Sequence, residues 1–224
     1  ESTMGNTLTI FDLDNTLIQG DSSTVWSQFM VREGLATQKG YLAREARLMA
    51  DYDRGEMNIA DYVALIQAPL AGIPKSDVDA LVARCVREAI LPRVYPQAWE
   101  LIRRLRAEGE QMLIISASVS LLVQAVAAAL EIDQALGIDV AMVDGGYSGV
   151  IAGIPSYQQG KVARLAQWRE AHPQYDGEVT FYTDSINDLP LCLHADRVRL
   201  VNPCPQLQAA GAGYGWPVLS WRLE

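Results

Sequence analysis

The sequence predicts an α/β fold: a parallel sheet flanked by helices, interrupted after its first strand by a helical insertion. Three observations carry this. From residue 112 onward, short apolar runs rich in β-branched residues alternate with helical patterns, as in parallel strands joined by crossover helices. A strand pattern at residues 7–12 (TLTIFD) is separated from that series by the helical stretch 21–91. The residues that carry chemistry fall at the C-terminal ends of the strands, where open α/β sheets bind ligands. The expected division is a core of residues 1–19 and 92–224, with a helical bundle at 20–91 inserted into it.

The insertion reads as four short antiparallel helices. Ser22 or Ser23 is placed to cap the first, which runs to Gly34. The second spans about Thr37 to Arg54 and stops at Gly55. Asn58 and Asp61 form a capping arrangement for the third, which ends near Pro69 and Gly72. Ser76 and Asp79 repeat it for the fourth, whose apolar face is Val78, Val82, Cys85, Val86 and Ala89.

Beyond Pro92 and Pro96 a helix carries Trp99, Ile102 and Leu105 and ends at Gly109. The strand MLIIS (112–116) and an Ala-rich helix from about 120 follow. IDVAMV (138–143) and YSGVIA (147–152) read as strands on either side of the Gly145-Gly146 turn. A helix opens at Gly160-Lys161 and runs to about Ala171, and EVTFYT (178–183) and VRLV (198–201) complete the strands.

Composition limits the function classes. Of 224 residues, half are apolar and a fifth charged, which excludes wholesale disorder. Eighteen basic against 27 acidic residues give a net charge of −9. So acidic a chain does not bind nucleic acid or an anionic membrane through its general field. Any phosphate it handles needs local neutralisation. Cys85, Cys192 and Cys204 form no CxxC pair, give no zinc framework, and read as small buried hydrophobes of a reducing compartment. No basic-then-apolar leader opens the sequence and no apolar stretch is long enough to span a bilayer, so the expected location is cytoplasmic. The tryptophans read as core anchors, although Trp26 and Phe29 could face a ligand. His172 and His194 read as structural.

The strand ends gather Asp12, Asp14, Ser116, Asp184, Asn187 and Asp188, and a helix start adds Lys161, one of three lysines. Four clustered acids cannot all be ionised and dry without a cation among them. An all-oxygen ligand set favours Mg²⁺ over zinc or copper. Such an ion and a lysine beside a nucleophilic carboxylate make a phosphoryl-transfer site.

FDLDNTL (11–17), a strand-terminal Ser116, Gly160-Lys161 and YTDSINDLP (182–190) together resemble the four motifs of the haloacid dehalogenase-like (HAD) hydrolases. The helical block, and the stretch from Gly146-Tyr147-Ser148-Gly149 to Lys161, resemble the phosphoserine-phosphatase-like branch, subfamily IB. The resemblance implies a Rossmann-like core under a helical cap and a Mg²⁺-dependent phosphatase working through an aspartyl-phosphate. It implies Asp12 as nucleophile and Asp14 as general acid and then base. Asp12, Asp184 and the main-chain carbonyl of Asp14 would hold the metal. Ser116, Lys161 and Asn187 would bind phosphate, and Asp188 would orient Lys161 or a metal-bound water.

The resemblance also bears on the substrate, a small phosphorylated metabolite. In that branch an acidic residue after the first motif meets the substrate amine, and Asp21 stands there. Ala64 falls where an arginine would meet a substrate carboxylate, with Arg47 or Arg54 as possible substitutes. An amino-alcohol phosphate such as histidinol phosphate therefore ranks first, phosphoserine second, and a sugar or other metabolite phosphate close behind. A phospho-accepting signalling module of the receiver type is the reading from a different class. Receivers are roughly half this length and lack an acid placed like Asp14, so length and Asp14 favour the enzyme. A mutase would differ in its product.

Overall fold

The computed structural model describes residues 6–224; residues 1–5 of the expected core segment 1–19 lie outside the described residues. Six parallel strands form the main sheet. They are β1 (Leu8–Phe11), β2 (Gln111–Val119), β3 (Gln134–Ile138), β6 (Val179–Thr183), β7 (Arg197–Val201) and the short β8 (Val218–Leu219). Their order is β3-β2-β1-β6-β7-β8. After β1 the chain builds outward through β2 and β3, then returns to place β6 on the other side of β1. That reversal opens a crevice at the carboxyl ends of β1 and β6, the usual ligand position in such sheets.

Both faces of the sheet are covered, so the strands read as continuous apolar runs. Leu8 and Ile10 of β1 pack on one side with Leu113, Phe181 and Leu165. Phe11 and Ile114 face the other side, in a cluster continuous with the helical insertion. The insertion between β1 and β2 contains α1 (Ser22–Arg32), α2 (Tyr41–Asp53), α3 (Ile59–Gln67) and α4 (Lys75–Cys85). Trp26 stacks on Phe29 at 5.6 Å, and both are buried with Met30. Truncation of a tryptophan so placed costs about 3–5 kcal/mol. Trp26 and Phe29 thus anchor the core and do not face a ligand.

Several element boundaries differ from expectation. Asp21, not Ser22 or Ser23, caps α1, accepting from the backbone N–H of Ser23 at 2.8 Å and of Thr24 at 3.2 Å. Both serines are buried and bonded elsewhere. α2 starts at Tyr41, because Gly40 at φ +77° breaks the helical path that Thr37 was expected to open. Asn58 caps α3 as expected, accepting from Asp61 N at 3.0 Å. α4 begins after Pro74 and has no side-chain cap; Asp79 instead takes Lys75 Nζ and the Tyr147 hydroxyl, each at 2.5 Å.

The stretch 138–143 divides in two. Residue 138 ends β3 in the main sheet, while β4 (Val140–Val143) pairs antiparallel with β5 (Gly146–Ile151) in a separate hairpin. Helices α5 (Pro96–Ala107), α6 (Ser120–Ala129) and α7 (Gln159–Ala171) flank the sheet, as the patterns predict. Helices α8 (Leu189–His194) and α9 (Pro205–Ala212), and strand β8, were not foreseen. His172 stacks on Trp168 at 4.2 Å, the structural role expected of it. Among the described residues no helix is long and apolar enough to cross a membrane.

Candidate active site

β1 carries the chain to Asp12, whose N–H donates to Tyr182 O at 2.9 Å and so extends the β1–β6 pairing by one bond. Asn15 then takes φ +57°, a left-handed conformation that asparagine tolerates, and its side-chain oxygen accepts from Gly20 N at 3.0 Å. This tight turn returns Thr16 to the strand end. The Thr16 hydroxyl lies 3.0 Å from Asp184 Oδ1 and 3.4 Å from Asp12 Oδ2, so two carboxylates from different strands converge on it.

Lys161 reaches this cluster from the first turn of α7. It is 1% exposed, with Nζ 3.1 Å from Asp12 Oδ1 and 2.8 Å from Asp188 Oδ1. Burial alone would lower its pKa, but the charges of Asp12 and Asp188 outweigh burial and hold it protonated. Gly160 makes the approach possible, since a Cβ there would sit 2.0 Å from Pro155 O. Asp188 also accepts from Thr183 Oγ1 at 2.7 Å. Burial pushes its carboxyl up to about 6, against the opposing pull of Lys161. Asp184 lies well above the usual carboxylate range, from burial and from the charge of Asp12 beside it.

The chemistry of this donor set fits a divalent cation. Asp12 and Asp184 are crowded oxygen donors that one lysine does not neutralise, and burial with the charge of Asp12 holds Asp184 well above the usual carboxylate range, a strain that a divalent cation would relieve. Among the described residues no three His, Cys, Asp or Glu side chains converge as a metal cluster. The Asp14 carboxylate is directed elsewhere, which leaves only its main-chain carbonyl for the expected ligand set.

Asp14 faces the helical insertion. Its Oδ1 accepts from Ser22 N at 2.6 Å and its Oδ2 from Ser118 Oγ at 2.8 Å. Burial raises its pKa, and these hydrogen bonds offset part of the rise. Beside it is a small cavity of about 10 Å³, room for about one water in this closed arrangement, lined by Asp14, Asp21, Met49, Tyr52, Met57, Tyr62, Ala117 and Ser118. Burial, then the charges of Asp14 and Glu45, hold Asp21 well above the usual range. Tyr62 closes the far side through a short contact with Ser23 Oγ.

Two expected phosphate ligands have other partners here. Ser116 lies within β2, not at its end. The β2–β3 register shifts between Ile115 and Val119, and this irregularity frees Ser116–Ser118 from regular pairing. The Ser116 hydroxyl accepts from Ser118 N at 3.1 Å. Asn187 donates from Nδ2 to Tyr52 O at 2.8 Å and Ser185 Oγ at 3.2 Å. Neither substitute arginine lines the cavity: Arg54 pairs with Asp51 and Glu56, and Arg47 shares a separate groove with Ala64.

Thr16, Ser118 and Tyr62 were missed as site residues. Thr16 had a signal, since it belongs to the FDLDNTL motif itself. Ser118 and Tyr62 had none, because serines and tyrosines are common and only the fold brings these two together.

Comparison with known proteins agrees with this geometry. Residues 9–192 match the family model of the haloacid dehalogenase-like hydrolases. A histidinol-phosphatase of Neisseria meningitidis serogroup C is 33% identical over 219 residues, covering 96% of this chain and 99% of that protein. The crystal structure of a protein of unknown function from Bordetella pertussis Tohama I is 31% identical, with a TM-score of 0.86 over 96% of this chain and 98% of that one. A phospho-aspartyl intermediate analogue of phosphoserine phosphatase shares the fold, with a TM-score of 0.66 and 18% identity over 92% of this chain and 90% of that one. A cluster of acids and one buried lysine at the crevice between β1 and β6, on a chain matched by the family model over most of its length, places this protein among the haloacid dehalogenase-like hydrolases.

Proposed function

We propose that this chain is a Mg²⁺-dependent phosphatase of small phosphomonoesters whose alcohol part carries an amine and no carboxylate, histidinol phosphate being the leading candidate. One observation carries the substrate choice. The cavity beside Asp14 is lined by two carboxylates, two tyrosines and two methionines, with no arginine or lysine. In this reading an ammonium or imidazolium group of the substrate pairs with Asp21 there, beside the protonated Asp14, when the helical insertion moves to admit it. A substrate carboxylate would meet like charge without a cationic partner. The histidinol-phosphatase similarity over nearly the full length of both chains points the same way.

In this reading residues 20–91 act as a cap over a core formed by 1–19 and 92–224. Asp12 attacks phosphorus, an O–P bond forms to its carboxylate, and the ester P–O bond breaks. The leaving oxygen takes the proton of Asp14, which burial keeps available above the usual carboxylate range. Water then attacks the phosphorus of the aspartyl-phosphate and gives its proton to Asp14. The Asp12 carboxylate is restored and inorganic phosphate leaves. Lys161 neutralises phosphoryl oxygens, Ser116 and Asn187 add donors, and Asp188 fixes the ammonium of Lys161. A divalent cation held by Asp12, Asp184 and the Asp14 carbonyl supplies further charge neutralisation on the phosphoryl group.

Phosphate release with Mg²⁺ from histidinol phosphate, phosphoserine and a generic aryl phosphate tests the reading. Histidinol phosphate is expected to exceed phosphoserine in kcat/KM by about a hundredfold, about 2.7 kcal/mol of discrimination. Preference for phosphoserine would mean that an arginine reaches the cavity after all.

A further inference from the structure

The turn that leads into α7 adopts a conformation that none of the chemistry above requires. Tyr157 O accepts from Gly160 N at 2.9 Å, closing a β-turn around Gln158 and Gln159. Gln158 has φ +52° and ψ −125°, the first central position of a type II′ turn, which glycine normally fills. A glutamine in that position is strained, and such strain persists where the side chain has a task.

The side-chain NH2 group of Gln158 is fully engaged. Its Nε2 lies 3.1 Å from Gly55 O, 3.0 Å from Asn187 Oδ1 and 3.1 Å from the Tyr157 hydroxyl, so two N–H bonds serve three acceptors. Gln158 thereby fixes the rotation of the Asn187 amide, whose Nδ2 donates to Tyr52 O at 2.8 Å. Gly55 and Tyr52 belong to the end of α2, and Gln158 and Asn187 to the core loops. Two amides from different core loops therefore grip one turn of the helical insertion. That turn follows Met49 and contains Tyr52, two walls of the cavity beside Asp14.

We propose that Gln158 is a positioning residue whose side-chain amide, directly and through Asn187, latches the end of α2 over the strand ends and so sets the wall of the substrate cavity. The latch couples the two halves of the site. Both N–H groups of Asn187 are occupied by Tyr52 O and Ser185 Oγ, so a phosphoryl oxygen that takes one of them alters the grip on α2. The effect on turnover rests on the phosphatase reading, whereas the latch itself can be measured without turnover.

Two substitutions separate a latch from a tolerated turn residue. Gln158→Gly suits the backbone but removes the amide. Gln158→Glu keeps the size and the strain but has no N–H to donate. Amide hydrogen exchange across residues 49–57 is expected to speed up at least tenfold in both, while only the Glu variant melts at a lower temperature. With histidinol phosphate both should lose about tenfold in kcat/KM, carried by KM and not by kcat. Wild-type exchange at 49–57 and wild-type kinetics in the Gly variant would overturn the proposal. Faster exchange in both variants, with no phosphomonoester turned over even by the wild type, would uphold the latch and overturn the phosphatase reading.

Discussion

The two halves of the site handle negative charge in opposite ways. Around Asp12 the protein brings its own cation: Lys161 lies between Asp12 and Asp188 at 3.1 and 2.8 Å. Around Asp14 no cation is in contact among the described residues: its carboxylate accepts from the Ser22 amide and the Ser118 hydroxyl, and the charge of Lys161 is the smallest influence on it. In the proposed function the first half holds a dianion, and the second holds a proton and receives a positive group from outside. In the proposed function this difference underlies both the reaction and its selectivity.

The largest expected effect comes from the first half. Asp12→Asn removes the proposed nucleophile and should abolish phosphate release, a fall of more than about 10³-fold read in a phosphate assay. In the second half, Asp14→Asn should cost about 10²–10⁴-fold in kcat, the usual range for a general acid. It should also flatten the alkaline limb of the pH–rate profile. In the proposed mechanism Asp14 carries a proton for the first step, so the wild-type rate should fall as pH rises through its raised pKa, and the Asn variant has no such group to lose.

Giving the second half a cation of its own should erase the contrast. Met49→Arg places a guanidinium in the cavity wall. It should raise kcat/KM for phosphoserine by about tenfold and lower it for histidinol phosphate by a similar factor, about 1.4 kcal/mol each way.

The smallest effect is on stability. In metal-free protein Asp188 is raised from 3.8 to about 6, so the folded state binds this proton more tightly than the unfolded chain. Its stabilising effect is complete below about pH 4 and is lost as pH rises to about 6. Melting temperature in a chelator should fall by roughly 5 °C over that window from this group, and Mg²⁺ should restore more of it at pH 7 than at pH 4.

How legible these features were in the sequence depended on what each residue contacts. β1, β6 and β7 were readable because a strand buried on both faces is a continuous apolar run. β3 was not. Its QALGI stretch contains a glutamine and Gly137, the latter required because a Cβ would lie 2.8 Å from the Ser120 Cα. The capping of α1 was misassigned because Asp21 and the two serines after it are all good cap residues, and only burial of the serines separates them.

In the site, Asp12, Lys161, Asp184 and Asp188 were legible only in conjunction: a single strand-end carboxylate is commonplace, but several strand ends and a helix start carrying them in one consistent order, and in the four motifs the chain resembles, stand out. Ser118 and Gln158 were not. Their partners are 104 and 103 residues away in the chain, and neither residue type marks a site by itself. The expected roles of Ser116 and Asn187 came from their motifs, but their hydrogen bonds in the folded chain show that Asn187 also serves the helical insertion.

The central claim is that Asp21 selects a positively charged leaving group. The most direct measurement is the ratio of kcat/KM for histidinol phosphate to that for an uncharged aryl phosphate, in wild type and in Asp21→Asn. Asparagine caps a helix as well as aspartate does, so the variant keeps α1 while losing the charge. The ratio should fall by about 30-fold, close to 2 kcal/mol for a buried charge pair. An unchanged ratio, with α1 intact by circular dichroism, would contradict the claim and move the origin of selectivity to another residue.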